Sequence, residues 1–67
     1  MIKKYPLNTT LRYIADAMSE RYNVDLMKAR DIVATSFVAK CYYDKDCREF
    51  IEHDDADYWA KEIMESI

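Results

Sequence analysis

Glycine is absent from the chain, and proline occurs once, at Pro6. Without glycine the sequence holds neither a glycine-rich phosphate loop nor a calcium loop of the EF-hand type, whose sharp turn requires glycine. No apolar run approaches the roughly 20 residues that a membrane-spanning helix needs. Because no proline follows Pro6, the rest of the chain is free to form helices.

Cysteine is scarce as well, since only Cys41 and Cys47 are present. Small secreted domains usually carry four or more cysteines, so the pair predicts two small buried thiols. A disulfide stays open as an alternative if the two Cα atoms lie within about 7 Å. The first residues, MIKKYPL, lack the apolar stretch of a signal peptide, and we therefore expect a cytoplasmic protein.

The charges are divided unevenly along the 67 residues. Residues 1–33 hold six basic and four acidic side chains, whereas residues 34–67 hold four basic and nine acidic ones, and the net charge is −3. A nucleic-acid-binding domain normally has a basic face and a high pI, but here the pI is about 5.0. The balance makes nucleic acid an unlikely partner and favours a protein partner with a basic or apolar surface, or a second copy of the chain.

The apolar pattern predicts an all-α domain with an extended N-terminal arm over residues 1–6. A first helix is expected from an N-cap at Asn8 to about Arg21, with Asn23 as a left-handed terminator. Asp25 is expected to cap a second helix that runs unbroken from about 26 to 42. The whole chain is predicted to be one domain, a small bundle of three main helices and one short helix.

The second predicted helix contains one residue that does not fit its apolar face. Leu26, Val33 and Phe37 fall within a narrow arc of the helical wheel, and Arg30 projects into the middle of that arc. The simpler interpretation is that the aliphatic part of Arg30 packs while its guanidinium reaches water or a carboxylate. The alternative is a buried ion pair, or a contact that only a partner completes.

Two more helices are expected in the acidic half. Asp46 and Glu49 have the residue types of a capping box that opens the short helix, with Cys47, Phe50 and Ile51 pointing inward. The last helix, from about 55 to 66, has the clearest apolar spacing of the chain. Its predicted inward positions are Ala56, Trp59, Ala60, Ile63 and Ile67.

The stretch HDDAD, His53 to Asp57, brings together residue types that bind metals and catalyse acid–base chemistry. Its spacing is poor for both, since His53 has no second histidine to pair with. Asp54 or Asp55 makes a good N-cap, and Asp57 then opposes the positive end of the helix dipole. We expect a helix start here, with a metal-dependent enzyme using His53 and its aspartates as a remote alternative. No catalytic residue, metal ligand or cofactor is therefore expected.

Tyrosine is over-represented, with six copies. Tyrosine is enriched at protein interfaces because it offers apolar area with a polar tip, although tyrosines also cover the edges of small cores. We expect a non-catalytic protein-interaction or regulatory module inside the cell, with a homodimer as one form of interaction. Small acidic antitoxin, phage or mobile-element proteins have a similar size and charge. A small helix-turn-helix nucleic-acid binder is the alternative. The predicted contact residues are Tyr13, Tyr42, Tyr43, Tyr58 and Glu62.

Overall fold

The computed structural model describes residues 3–67, and within them the chain forms five α-helices and no strand. The helices are α1 (Thr9–Tyr22), α2 (Leu26–Ala34), α3 (Phe37–Tyr42), α4 (Arg48–His53) and α5 (Ala56–Glu65). The longest helix, α1, lies against both α2 and α5, while the short α3 packs against α4. The all-α prediction is confirmed. No helix among these residues is long and apolar enough to cross a bilayer.

Three helix starts are fixed by side chains that the sequence identified. Asn8, Asp25 and Asp55 each accept a hydrogen bond from the backbone N–H three residues later, which satisfies a donor that the helix leaves without a partner. Asn23 ends α1 in the left-handed conformation, with φ of 54°. Asparagine tolerates this conformation better than most residues, so it takes the role that glycine usually has.

The core is built from one face of each helix. Burial of these apolar side chains is the main force that holds so small a domain together. Among the described residues no polar or charged side chain is buried, so the core carries no uncompensated polar group. The largest fully buried side chains are Leu11, Ile14, Met18, Val33, Val38, Ile51 and Ile63.

The predicted second helix is not continuous, because it breaks at Thr35 and Ser36 into α2 and α3. The Thr35 hydroxyl donates to the carbonyl oxygens of Asp31 and Ile32, and the Ser36 hydroxyl donates to that of Val33 at 2.7 Å. The Ser36 oxygen also accepts from the N–H of Ala39 and so caps α3. Hydroxyl side chains of this kind compete with the helix for its own backbone groups.

The break also overturns the predicted apolar arc. Val33 is buried as expected, but Leu26 and Phe37 are exposed, and the buried residue of the first α2 turns is Ala29. Arg30 follows Ala29 and lies on the exposed side of α2. The buried ion pair considered for Arg30 is therefore wrong.

The start of α4 also differs from the prediction. Asp46 does not cap the helix; Cys47 occupies the N-cap position and makes no side-chain cap bond. Ile51 is buried as predicted, whereas Phe50 is 68% exposed, because a six-residue helix turns only one narrow face to the core. The Trp59 indole N–H donates to the carbonyl oxygen of Ile51 at 2.9 Å and ties α5 to α4.

Cys41 and Cys47 form a disulfide, so the prediction of two separate thiols is wrong. Their Cα atoms lie 5.0 Å apart, within the reach of a disulfide. The bridge closes the turn between α3 and α4, where Arg48 Nε also donates to the carbonyl oxygen of Tyr42. The two short helices are thus held together by a covalent bond as well as by packing.

The N-terminal arm is extended and packs on its own bundle. The first two residues of the predicted arm, Met1 and Ile2, lie outside the described residues. The Tyr5 N–H donates to the carbonyl oxygen of Ala34 at 2.8 Å. In an unbroken helix that carbonyl would bond the N–H four residues later. The break therefore provides the acceptor that holds the arm.

Candidate interaction surfaces

The five predicted contact residues separate into two groups by what they touch. Tyr42 and Tyr43 contact each other edge to face, and the Tyr43 ring stacks on Tyr5 at 5.7 Å between centroids. The Tyr43 hydroxyl donates to the carbonyl oxygen of Pro6, so it holds the arm. Tyr42 is half-buried against the core, with the Arg48 guanidinium 5.2 Å from its ring centre. In this structure the pair has an internal packing role.

Tyr13, Tyr58 and Glu62 belong to the second group. Tyr13 is 61% exposed and, with Trp59, lines a small cavity of about 80 Å³ between α1 and α5. The Tyr58 ring meets the Trp59 ring edge to face at 4.9 Å. Its hydroxyl donates to Glu62 Oε1 at 3.4 Å, a long hydrogen bond. We call Tyr13, Tyr58 and Glu62, together with Trp59, the acidic aromatic face.

The electrostatics of this face are visible in one titrating group. The pKa of Tyr58 is raised above its ordinary value, first by the negative charge of Glu62, then by loss of hydration and by Asp54. A nearby negative charge disfavours ionisation of a phenol, which would itself become negative. The face therefore presents a neutral aromatic hydroxyl beside carboxylates.

The HDDAD stretch is a helix junction, as predicted. His53 ends α4, and the Asp55 side chain caps α5 by accepting from the N–H of Tyr58 at 2.9 Å. Asp57 pairs with Arg21 of α1 at 2.8 Å, and this hydrogen-bonded carboxylate raises the pKa of Arg21. Among residues 3–67 no three His, Cys, Asp or Glu side chains converge in a way that suits a metal ion.

One concave feature of the described residues was not predicted from the sequence. It is a groove of about 770 Å³ between residues 4–7 of the arm and α2, which we call the arm groove. The arm wall has no periodic signal, and its position depends on contacts with residues about 30 positions away. The α2 residues that line it are Met27, Lys28, Arg30, Asp31 and Ala34.

Arg30 was the one sequence signal that pointed toward this groove. Its guanidinium forms no salt bridge with any residue from 3 to 67. Asp31, its neighbour, pairs with Lys4 of the arm instead. The exposed position of Arg30 fits the simpler interpretation, a guanidinium that reaches water, and a contact that a partner completes stays a prediction.

No protein-family model, curated protein or solved structure matches the chain. Its function is therefore inferred from its own residues.

Proposed function

We propose that the chain is a non-catalytic protein-interaction module that binds a basic protein partner through the acidic aromatic face. The observation that carries the proposal is the exposed Tyr58 ring, which meets Trp59 edge to face and bonds Glu62, with the exposed Tyr13 lining the same cavity as Trp59. Aromatic side chains supply most of the binding energy at many interfaces, and complementary charge guides the encounter. Residues 34–67 carry nine acidic and four basic side chains, so the surroundings of the face favour a cationic partner.

The structural roles of Tyr42 and Tyr43 reduce the proposed contact surface. Tyr43 already uses its hydroxyl on Pro6, and Tyr42 packs on the core. Removing either would disturb the arm or the α3–α4 turn as well as any interface. The residues best suited to a test are therefore Tyr58 and Glu62.

The experiment compares the wild type with the double variant Y58A/E62Q in selection from a displayed library of random peptides. We expect the wild type to enrich peptides rich in lysine and arginine, and the double variant to lose them. The matched control is Y22A/E20Q, which removes another exposed tyrosine and another exposed acid, on α1. Enrichment that is the same for wild type and both variants would refute the proposed face. Circular dichroism checks that helicity is unchanged.

The alternative of a helix-turn-helix nucleic-acid binder stays a prediction. Helix α3, which follows the α2 break, has six residues and a single basic one, Lys40, so it offers little for phosphate contacts. Retention on DNA that falls steeply with salt would favour this alternative. Stoichiometric zinc binding would in turn favour the metal-dependent enzyme with His53.

Compartment, oligomeric state and biological origin also stay predictions. We expected a cytoplasmic protein, but the Cys41–Cys47 disulfide is a feature more usual in oxidising compartments. A homodimer, and a role like that of antitoxin, phage or mobile-element proteins, rest on size and charge. Light scattering across a dilution series measures the oligomeric state directly.

A further inference from the structure

We propose that the arm groove is a second binding site and that its occupant is an acidic segment of a partner protein that also carries aliphatic side chains. The site is distinct from the acidic aromatic face and has the opposite charge preference. It is lined by the arm and α2, whereas the acidic aromatic face is formed by α1 and α5.

The dimensions of the groove limit what it holds. Its α2 wall extends from Met27 to Ala34, which at a helical rise of about 1.5 Å per residue is about 10 Å. The opposite wall is the extended arm, residues 4–7. A volume of about 770 Å³ over this length suits a short peptide segment, such as two turns of a helix.

Apolar side chains line the groove between its charged residues. Met27 is 73% exposed, although it is an apolar residue within a helix, and Leu7 and Pro6 lie opposite. Methionine adapts to differently shaped apolar partners because its side chain is unbranched and flexible. Aliphatic side chains of a bound segment would bury this apolar surface, whereas a purely polar ligand would leave it exposed to water.

The charges of the groove select an acidic occupant. Lys4, Lys28 and Arg30 lie around it, against the single acid Asp31, which already pairs with Lys4. This positive cluster stands out on a chain with a net charge of −3. Arg30 has no salt-bridge partner among residues 3–67, so its guanidinium is available to bind a carboxylate in the two-pronged geometry that arginine favours.

Alternative occupants fit less well. A nucleic acid would meet repulsion from the acidic remainder of the chain and would not use the apolar lining. A second copy of the chain offers acidic side chains on α5, but α5 buries its apolar residues Ala60 and Ile63 in its own core and so has little aliphatic area to cover the apolar lining. The observations therefore favour a partner protein.

The test uses the full chain and the same displayed library of random peptides. We expect the wild type to enrich a second class of peptides, in which aspartate and glutamate alternate with leucine-like residues. The charge-reversed variant K28E/R30E should bind a synthetic peptide of this class about tenfold or more weakly, as measured by fluorescence anisotropy. The matched control R12E/K45E reverses two exposed basic residues outside the groove and should bind as the wild type does.

Three results would overturn the proposal. If the selection enriches no acidic peptides, the groove does not bind an acidic segment. If K28E/R30E and R12E/K45E bind the peptide equally, binding depends only on the net charge of the protein. A mass that rises with protein concentration in the wild type, and not in K28E/R30E, would place a second copy in the groove. Because Y58A/E62Q leaves the groove intact, its retention of acidic peptides separates this proposal from the preceding one.

Discussion

Reduction of the Cys41–Cys47 disulfide should destabilise the protein by about 2 kcal/mol. The bridge joins residues that are six positions apart. The loop-closure relation, in which the entropy lost by the unfolded chain grows with the logarithm of loop length, gives about 2 kcal/mol for so short a loop. Hydrogen bonds within the turn, such as that from Arg48 Nε to the Tyr42 carbonyl, remain after reduction.

This amount matters because the domain is small. A chain of this length has a stability of a few kcal/mol, so the loss would raise the unfolded fraction about thirtyfold. For a domain of 60–100 residues, it corresponds to a fall in melting temperature of about 8–16 °C. The disulfide is therefore expected to contribute a large share of the net stability.

Urea unfolding followed by Trp59 fluorescence measures the effect, since Trp59 bonds to Ile51 of α4 and reports on the bridged region. The transition midpoint should fall when a reducing agent is added to the wild type. In the double variant C41S/C47S it should already be low and should not respond to the reducing agent. A wild-type midpoint unchanged by complete reduction, with mass spectrometry confirming the bridge beforehand, would refute the reasoning.

Two further predictions concern single side chains. The substitution Ser36→Ala removes the cap of α3 and should lower the free energy of unfolding in urea by about 1 kcal/mol. The control Ser19→Ala, inside α1, should not lower it. Equal unfolding midpoints for the two variants would contradict the role of Ser36. Tyr58 should ionise at higher pH than an ordinary tyrosine, because its pKa is raised chiefly by Glu62. A raised pKa stabilises the protonated folded state, so this contribution is complete below the ordinary tyrosine pKa and is lost as the pH rises through the folded value. Absorbance titration of the wild type against Tyr58→Phe and Glu62→Gln tests this, and a tyrosinate transition that Glu62→Gln leaves in place would contradict the assignment.

Three of the five helix starts within residues 3–67 were predictable because their signals are local. Asn8, Asp25 and Asp55 are short polar residues placed directly before apolar periodic segments, and each bonds a backbone N–H only three residues away. The same holds for Asn23, whose left-handed conformation needs no distant support. Features that depend on a few neighbouring residues can be read from the sequence.

The break between α2 and α3 was missed for the opposite reason. The apolar spacing across Thr35 and Ser36 continues without a gap, so periodicity predicts one helix. Hydroxyl residues are compatible with a helix interior as well as with a break, and the choice depends on packing. Because one continuous helix was assumed, the helical wheel placed Leu26 and Phe37 in the core, although both are exposed.

The two candidate surfaces also differ in how much of them the sequence predicts. Tyr13 and Tyr58 were predicted to be contact residues, and both are exposed. The arm groove could not be predicted, since it depends on contacts between distant residues, such as the hydrogen bond from Tyr5 to Ala34. Arg30 signalled an anomaly, but the sequence did not show that its neighbour across the groove would be the arm.

Because the arm forms one wall of the groove, the groove is present only in those molecules in which the arm is docked on α2. The arm is held by the Tyr5–Ala34 and Tyr43–Pro6 hydrogen bonds, by the Lys4–Asp31 ion pair and by packing of Tyr5 and Leu7 on the core, and local opening of this segment would remove one wall of the groove. A ligand that needs the docked arm has its apparent affinity reduced by the fraction of time the arm is docked, so docking for one-tenth of the time weakens binding about tenfold. Tyr43 does not line the groove, yet it would set this fraction and so govern binding from outside the site.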